Sequence, residues 1–427
     1  VLKFLNMHFI SKRIFSILMI FSFVSLMSFA QDGELNEAYD KLVGREKNSN
    51  PVHTAVPFLT IAPDSRSGAM GDAGVATSPD ANSMHWNPAK YAFVQNKSGF
   101  ALTFTPWLQN LVKDIYLSYL SGYVRADDQQ VFAGSLTYFT LGEITFTDNE
   151  GVETGSHSPN EFAVDFAYSR LFSDKFSGSL AFRFIRSDLT GGGYISNWEA
   201  NAGVSFAADV SAYYQNKDIS ISDKDAALAF GMNISNIGTK ISYTERNKEF
   251  IPINLGLGTA FSIDLDQFNS LTFALDANKL LVPTPPEYYT SPVETPSGDT
   301  ADIGDIKAGM DPDVSVPVGM IQSFYDAPGI VDENGERNVF KEELQEIAYS
   351  FGLEYWYNKQ FAVRAGYFYE HERKGNRKFF TVGMGLRLNA LGIDFSYLIP
   401  RYYNNNPLAN TVRFSLLLDM EAFEIQQ

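Results

Sequence analysis

Cysteine is missing from all 427 residues. That absence removes disulfide scaffolds, thiol catalysis and every thiolate metal site together. Charge is scarce as well: Asp, Glu, Lys and Arg make up 19% of the chain, against 14% aromatic residues. Basic residues are the rarer sign, 33 against 50 acidic ones, and a formal net charge of −17 argues against a phosphate-neutralising nucleic-acid binder. Mean hydropathy is only −0.14. A helical membrane protein would be far more apolar, because each span needs about 20 nearly uncharged residues. Disorder fails on the opposite count, since 45% of residues are hydrophobic and ample for a core.

Residues 1–30 read as a targeting signal. Lys3, Lys12 and Arg13 give a basic start, Ile14 to Phe29 run apolar, and Ser28-Phe29-Ala30 place small residues at −3 and −1. A transmembrane anchor is the alternative, but the run is short and a polar, acidic stretch follows at once. Export with cleavage after Ala30 is expected. An exported, cysteine-free, aromatic-rich and acidic chain points to the envelope of a double-membraned bacterium.

The remainder alternates at period two. Phe162, Val164, Phe166 and Tyr168 share one face, and Ala163, Asp165, Ala167 and Ser169 the other. Leu180, Phe182 and Phe184 oppose Ser179, Ala181 and Arg183. Leu391, Ile393, Phe395 and Tyr397 oppose Gly392, Asp394 and Ser396, and Val412, Phe414, Leu416 and Leu418 oppose Thr411, Arg413 and Ser415. These are two-faced strands. A soluble sandwich packs its bulky face inward and covers the other with Lys, Glu and Thr. Here the second face is Gly, Ala and Ser with isolated charges such as Asp165, Arg183, Arg364, Asp394 and Arg413. That pattern fits a crowded barrel interior, with the bulky face turned to lipid.

Candidate strands lie near 99–106, 112–124, 130–141, 161–172, 177–188, 202–214, 226–235, 253–263, 268–278, 346–357, 360–370, 378–388, 391–399 and 410–419. The expectation is therefore an all-β, 14-stranded antiparallel transmembrane barrel. Short turns, as at Ser173-Asp174-Lys175 and Asn358-Lys359, alternate with long connections at 142–160, 189–201, 236–252 and 279–345. The 214–226 connection is the longest of the short set. Short turns face the periplasm in such barrels and long loops face outside, so both termini are expected in the periplasm.

Two segments do not read as barrel wall. Within 31–97, Ser67-Gly68-Ala69-Met70-Gly71-Asp72-Ala73-Gly74 gathers small residues, followed by Asp80-Ala81-Asn82 and Trp86-Asn87-Pro88-Ala89. The glycine spacing is wrong for a dinucleotide loop and no βαβ unit follows. A compact segment inside the barrel is the better reading, with Trp86 as an anchor and Pro88 fixing a turn. The second segment, 281–345, carries eight prolines, which exclude ladder pairing and favour stiff, extended chain. At about 65 residues it is long enough to be functional, with one helical turn expected at 342–347. Tyr288, Tyr289, Phe324 and Tyr325 give it apolar anchors of the kind that bury at interfaces.

The small-residue run, Asp80-Ala81 and Trp86-Asn87-Pro88-Ala89 look like the N-terminal hatch of FadL-type outer-membrane barrels. More narrowly, Pro57-Phe58-Leu59, Asp64-Ser65-Arg66, Gly68 to Gly74, Trp86 to Ala89 and Lys279-Leu280-Leu281-Val282-Pro283-Thr284-Pro285-Pro286 together resemble the PorV family. These are FadL-like components of the Bacteroidota type IX secretion system. The resemblance covers essentially the whole chain after the signal. It implies a signal at 1–30, a periplasmic segment and hatch at 31–97, and a barrel at 98–427 with its long external loop at about 279–345. The expected hatch residues are Gly68, Gly71, Asp72, Gly74, Trp86, Asn87 and Pro88. Pro283, Pro285, Pro286, Tyr288, Tyr289, Phe324 and Tyr325 are the expected partner-binding set.

No constellation for catalysis stands out, and neither a metal nor a cofactor is expected. His53, His85, His157 and His371 are scattered, no HExxH occurs, and Gly203-Val204-Ser205-Phe206-Ala207 lacks the last glycine of a nucleophile elbow. Asp148, Asn149 and Glu150 could bind a surface calcium, though their spacing gives no octadentate loop, and Asp127-Asp128 and Asp332-Glu333 read as solvated turns. Lumenal Asp165, Arg183, Asp394 and Arg413 are expected to pair plug with wall. Two functions remain. The resemblance implies a secretion component in the outer-membrane lipid that binds the C-terminal signal domain of cargo beside the large translocon barrel (SprA/Sov-like). It then delivers cargo to a surface attachment complex with a sortase-like protease. The alternative is a FadL-type passive channel for hydrophobic small molecules, which should display an apolar pocket.

Overall fold

The structure is a computed structural model. It describes residues 49–108, 112–147, 150–192, 194–195, 198–245, 248–294, 300–331, 335–401 and 408–420. The expected signal, Asp148, Asn149, Asp332 and Glu333 lie outside the described residues. The chain divides into Val1–Ser49 and Asn50–Gln427, and only the second unit is treated below.

Fourteen antiparallel strands follow one another in sequence order and close on themselves. They are β1 (Ser98–Pro106), β2 (Ile115–Arg125), β3 (Gln130–Leu141), β4 (Asn160–Ser173), β5 (Phe176–Asp188), β6 (Gly203–Ile221) and β7 (Lys224–Gly238). The circuit continues through β8 (Asn254–Asp264), β9 (Asn269–Leu280), β10 (Ala348–Tyr357), β11 (Phe361–Tyr369), β12 (Lys378–Leu388), β13 (Leu391–Pro400) and β14 (Val412–Asp419). β1 pairs with β14 from Gly99↔Asp419 to Phe104↔Phe414, which leaves no sheet edge. Closure satisfies the ladder groups without water, the condition for a sheet in lipid.

Period-two alternation places each side chain. On β1, Ala101, Thr103 and Thr105 are buried while Phe100, Leu102 and Phe104 are exposed. On β4 the buried row is Ala163, Asp165 and Ser169, and Val164 and Phe166 point out. Outward rings meet across strands, as in Phe132–Phe166 at 6.1 Å and Phe395–Phe414 at 5.2 Å between centroids. An apolar belt of this kind needs hydrocarbon around it. Among the described residues no helix is long and apolar enough to cross a membrane.

The sequence-based boundaries fail in one place. The 214–226 connection is not a loop: β6 and β7 run on to a two-residue turn, Ser222-Asp223, with both residues at positive φ (51° and 63°). The primed turn matches the strands' twist. The extension was invisible because Gln215, Asn216, Lys217 and Asp218 are polar, and a ladder beyond the apolar belt needs no apolar side chains. The inner face also carries more bulk than expected. Leu117, Tyr119, Phe139 and Ile185 point inward and pack with Phe58, Leu59, Ile251 and Leu281.

Short turns lie at one end of the barrel and longer connections at the other, and both Ser98 and Asp419 sit at the short-turn end. Residues 57–93 form a run of single turns: Pro57–Thr60 (3-10), α1 (Ser65–Gly68), α2 (Ser83–Trp86) and Pro88–Phe93 (3-10). The connection from β9 to β10 contains α3 (Val316–Gln322) and α4 (Val339–Gln345), the latter three residues earlier in its start than expected.

Candidate functional site

The small residues of 64–94 let this segment touch the barrel's inner face through backbone groups. Gly71 N donates to Thr381 Oγ1 on β12 at 2.8 Å. Gly74 N and Val75 N both donate to Asp276 Oδ2 on β9, at 2.7 and 2.8 Å. Ser65 N donates to Ser415 Oγ on β14 at 2.9 Å. Gly71 and Asp72 are both left-handed, at φ 68° and 61°, a conformation that glycine adopts freely and Asp tolerates. The wall answers with glycine at the same place: a Cβ on Gly366 would overlap the Met70–Gly71 backbone.

Trp86 and Asn87 tie the segment to itself and to β6. The indole Nε1 donates to Asp64 Oδ1 at 2.6 Å, while Asp64 Oδ2 caps α1 through Ser67 N. The indole lies against Gly74, where any side chain would collide with it. Asn87 Nδ2 donates to Val75 O and Ala212 O, each at 3.0 Å, and Pro88 O accepts from Ser169 Oγ at 2.8 Å. Gly68 packs under Arg413, which donates to Ala62 O and lies 3.8 Å from Asp72.

Buried charge forms a ladder along the wall. Arg66 pairs with Glu354 on β10 through Nε (2.9 Å) and Nη2 (2.7 Å), and with Asp80 through Nη1 (2.8 Å). Glu354 also takes Arg364 on β11 (2.6 Å), Arg364 takes Asp394 on β13 (2.8 Å), and Arg387 closes on Asp394 at 2.7 Å. Of the four lumenal charges expected to bind plug to wall, Arg413 is the one that pairs with the inner segment among the described residues. Asp165, Arg183 and Asp394 pair within the wall, Arg183 reaching both Asp165 and Asp209. Arg66 is the residue that crosses. Its partner Glu354, like Asp276, was legible as a lone acid on the small face of a strand.

The long connection is fastened by a second buried cluster. Lys279, at the end of β9, donates to Glu343 (3.0 Å) and Glu346 (2.6 Å). Lys374, between β11 and β12, donates to Glu342 (2.8 Å) and Glu346 (2.9 Å). Asp326 accepts from Thr284 N, and Thr284 Oγ1 donates to Glu346. Burial pushes the Asp326 carboxyl up to about 7, reinforced by Glu343 and Glu346. Burial also raises Glu346, but Lys279 and Lys374 outweigh it and hold its carboxyl below the usual range.

This fastening separates the predicted contact residues. Pro283 and Pro286 are buried and Pro285 is half-buried, its carbonyl accepting from Asn50 Nδ2. They form the loop's footing, where a kinked, donor-free backbone packs as a ladder cannot, and Pro283 and Pro286 expose little surface. Tyr288, Phe324 and Tyr325 are exposed and Tyr289 is half-buried. Sequence reasoning missed α3 and the exposed apolar residues of both helices. Val318 and Ile321 on α3, and Phe340 and Leu344 on α4, are all exposed, Phe340 at 72% and Ile321 at 65%. A four-residue offset of apolar side chains on α4 was the available signal.

Two cavities flank the inner segment. One of about 760 Å³ opens toward the short turns and is bordered by Asp80, Gln95, Lys217, Asp264, Lys359 and Asn389. The other, about 480 Å³, lies toward the long connections, and its border includes Asp72, Trp86, Arg183, Asn233, Asn278 and Lys374. Both borders are mixed: Phe93, Val94, Leu417 and Leu418 also line the first, and Val52, Leu59, Leu280 and Phe368 the second. Among the described residues no group of three or more His, Asp or Glu is placed to hold a metal. His85 lies against Trp86, His157 is 3.6 Å from Asp188, and His371 caps a short turn. Ser205 donates to Thr239 O inside β6 rather than to any base.

No curated protein matches the chain. Solved structures with similar architecture include the toluene transporter TodX of Pseudomonas putida, 10% identical over 87% of this chain and 98% of that one, with a TM-score of 0.42. The CymD monoaromatic hydrocarbon channel (12%, 84% and 97%, 0.43) and a Pseudomonas aeruginosa FadL homologue (11%, 87% and 99%, 0.39) are similar to the same degree. The model of the family described as type IX secretion system protein PorV matches residues 44–287, more than half of the sequence, and the chain belongs to that family as an outer-membrane β-barrel component of type IX secretion.

Proposed function

We propose that this barrel is a non-enzymatic carrier in type IX secretion. It binds the C-terminal signal domain of cargo at the translocon barrel and passes it to the surface attachment complex. The long connections then face the exterior, both barrel termini face the periplasm, and residues 50–94 act as a hatch. One observation carries the reading: the connection from β9 to β10 is built as a surface. Its base is locked by Lys279 and Lys374 on three glutamates, and above that base Val318, Ile321, Phe324, Phe340 and Leu344 are left exposed. A spacer needs neither feature, whereas a preorganised surface with apolar anchors lowers the ordering cost of binding. The passive-channel reading calls for a continuous apolar path, and the borders of the two cavities mix apolar side chains with charges and amides.

The test replaces 287–340 with a short Gly/Ser link. Loop closure depends weakly on length, so the barrel should still give a folded band that migrates faster than the boiled one. Cargo should fail to reach or stay on the surface, and co-purification of cargo and translocon should fall. Normal secretion with full capture of both would move the docking site elsewhere.

A further inference from the structure

The cavity on the long-connection side has a chemistry that secretion does not use. On one flank, three neighbouring strands meet in register: Asn233 on β7, Gly256 on β8 and Asn278 on β9 are cross-strand partners, so two carboxamides share the row, with that of Asn254 one row above. Glycine at the centre of that row lets Val75 of the inner segment pack against the wall beside the Asn278 amide. Asp72 and the half-buried indole of Trp86 also border the cavity. The amides are only partly engaged. Asn233 Nδ2 donates to Trp86 O at 3.0 Å and Asn254 Nδ2 to Asn278 Oδ1 at 3.1 Å. Asn233 Oδ1 has no partner among the described residues, nor has Ser350 Oγ on the adjoining β10, although both residues are at least nine-tenths buried and border the cavity.

The charges along the same border are spent on each other. Arg183 is held by Asp165 and Asp209, Lys374 by Glu342 and Glu346, Arg377 by Glu370, and Asp72 faces Arg413. An ionic ligand therefore meets no free counter-charge, and a hydrocarbon, although Val52, Leu59, Leu280 and Phe368 also line the chamber, would desolvate its carboxamides without replacing their hydrogen bonds. What matches is a neutral molecule with many hydroxyls, each able to donate to an amide oxygen and accept from an amide nitrogen, with C–H faces for the indole. A volume of about 480 Å³ lies within the range of small-ligand sites. We propose that this chamber binds a saccharide unit between Trp86 and the carboxamides of Asn233 and Asn278.

The experiment uses the full barrel purified in a sugar-free detergent, with D-glucose and N-acetyl-D-glucosamine as probes, read by saturation-transfer NMR and by indole fluorescence. Saturable binding is expected for at least one probe with Kd on the order of 1 mM. Asn233→Leu and Asn278→Leu should each weaken it at least about tenfold, since each leaves sugar hydroxyls unpaired. Heat-modifiability of the variants checks that they fold. Wild-type titration decides the matter even if a variant fails. No saturation by either sugar up to about 100 mM, two decades above that Kd, would overturn the proposal. Saturation by toluene or laurate that displaces the sugar, or by triglycine in its place, would overturn it equally. Loss of cargo docking on the external surface leaves this site unaffected.

Discussion

Arg66 and Glu354 face each other in a two-point ion pair, Nε to Oε2 at 2.9 Å and Nη2 to Oε1 at 2.7 Å, with both side chains buried. They lie 288 residues apart, one on α1 and the other on β10. Arg66→Met strands two acids, Glu354 and Asp80, in the interior. Breaking one side of a buried pair costs about 3–5 kcal/mol, though Arg364 still covers part of Glu354. The expected result is a lower temperature for loss of the folded band. Arg66→Lys should rescue little, because one ammonium cannot make the planar two-point contact.

Trp86 and Gly74 make a second, independent test. Trp86→Ala removes an indole that covers Gly74 and holds Asp64. Fully buried aromatics cost roughly 3–5 kcal/mol on truncation, and a half-buried one should fall at or below the low end. Gly74→Val should do comparable harm from the other side, since its side chain and the indole need the same space. Thermal unfolding of the two variants checks this. If Trp86→Ala left stability intact, the indole would not be an anchor.

Much of the wall could be read in advance, and the reasons are local. Leu391 to Tyr397 or Phe162 to Tyr168 alternate so cleanly that phase, face and strand existence follow from periodicity alone. Lys217 and Asp218 broke the reading because ladder hydrogen bonds extend past the apolar belt without any apolar signature. Pairing inside the lumen was harder. Asp165, Arg183 and Asp394 were correctly turned inward, yet which charge meets which depends on strand neighbourhood, and that is a non-local fact. Asn233 and Asn278 carried no signal at all until register set them on either side of Gly256.

Asp326 predicts a pH dependence for the long connection. Its carboxyl is raised to about 7 by burial, against an ordinary 3.8, with Glu343 and Glu346 adding to the effect. The folded state thus binds more protons than the unfolded one between those values, and stability must fall as pH rises through that window. Glu346 acts oppositely, since its lowered carboxyl loses its contribution only as pH drops below the ordinary range. Within this cluster, between about pH 5 and 7.5, the Asp326 effect should therefore outweigh that of Glu346, and Glu343, also raised by burial, adds to it. The denaturation midpoint should decline over that interval, and Asp326→Asn, which keeps an acceptor for Thr284 N, should flatten the decline. An unchanged slope in that variant would remove Asp326 from the account.

The exposed helical side chains give the sharpest separation between docking and folding. Ile321 and Phe340 are at 65% and 72% exposure, and Phe324 is at 50%. Replacement of Ile321 and Phe340 by Ser should change stability by no more than about 0.5 kcal/mol each, as for surface positions, and Phe324, whose ring lies 5.8 Å from Lys279 Nζ, by about 0.5–1 kcal/mol more. If they are anchors that bury against a partner, each loss should cost about 2 kcal/mol or more of binding, some thirtyfold in affinity. The triple variant Ile321→Ser, Phe324→Ser, Phe340→Ser should thus fold normally, insert into the outer membrane and keep its ion cluster at Lys279 and Lys374, while pull-down of cargo or translocon collapses. Replacing the buried footing instead, as in Lys279→Met, should lower stability and docking together, because it loosens the base on which those side chains stand. Equal capture by the triple variant and the unmodified barrel would place the contact on the wall or on the shorter connections.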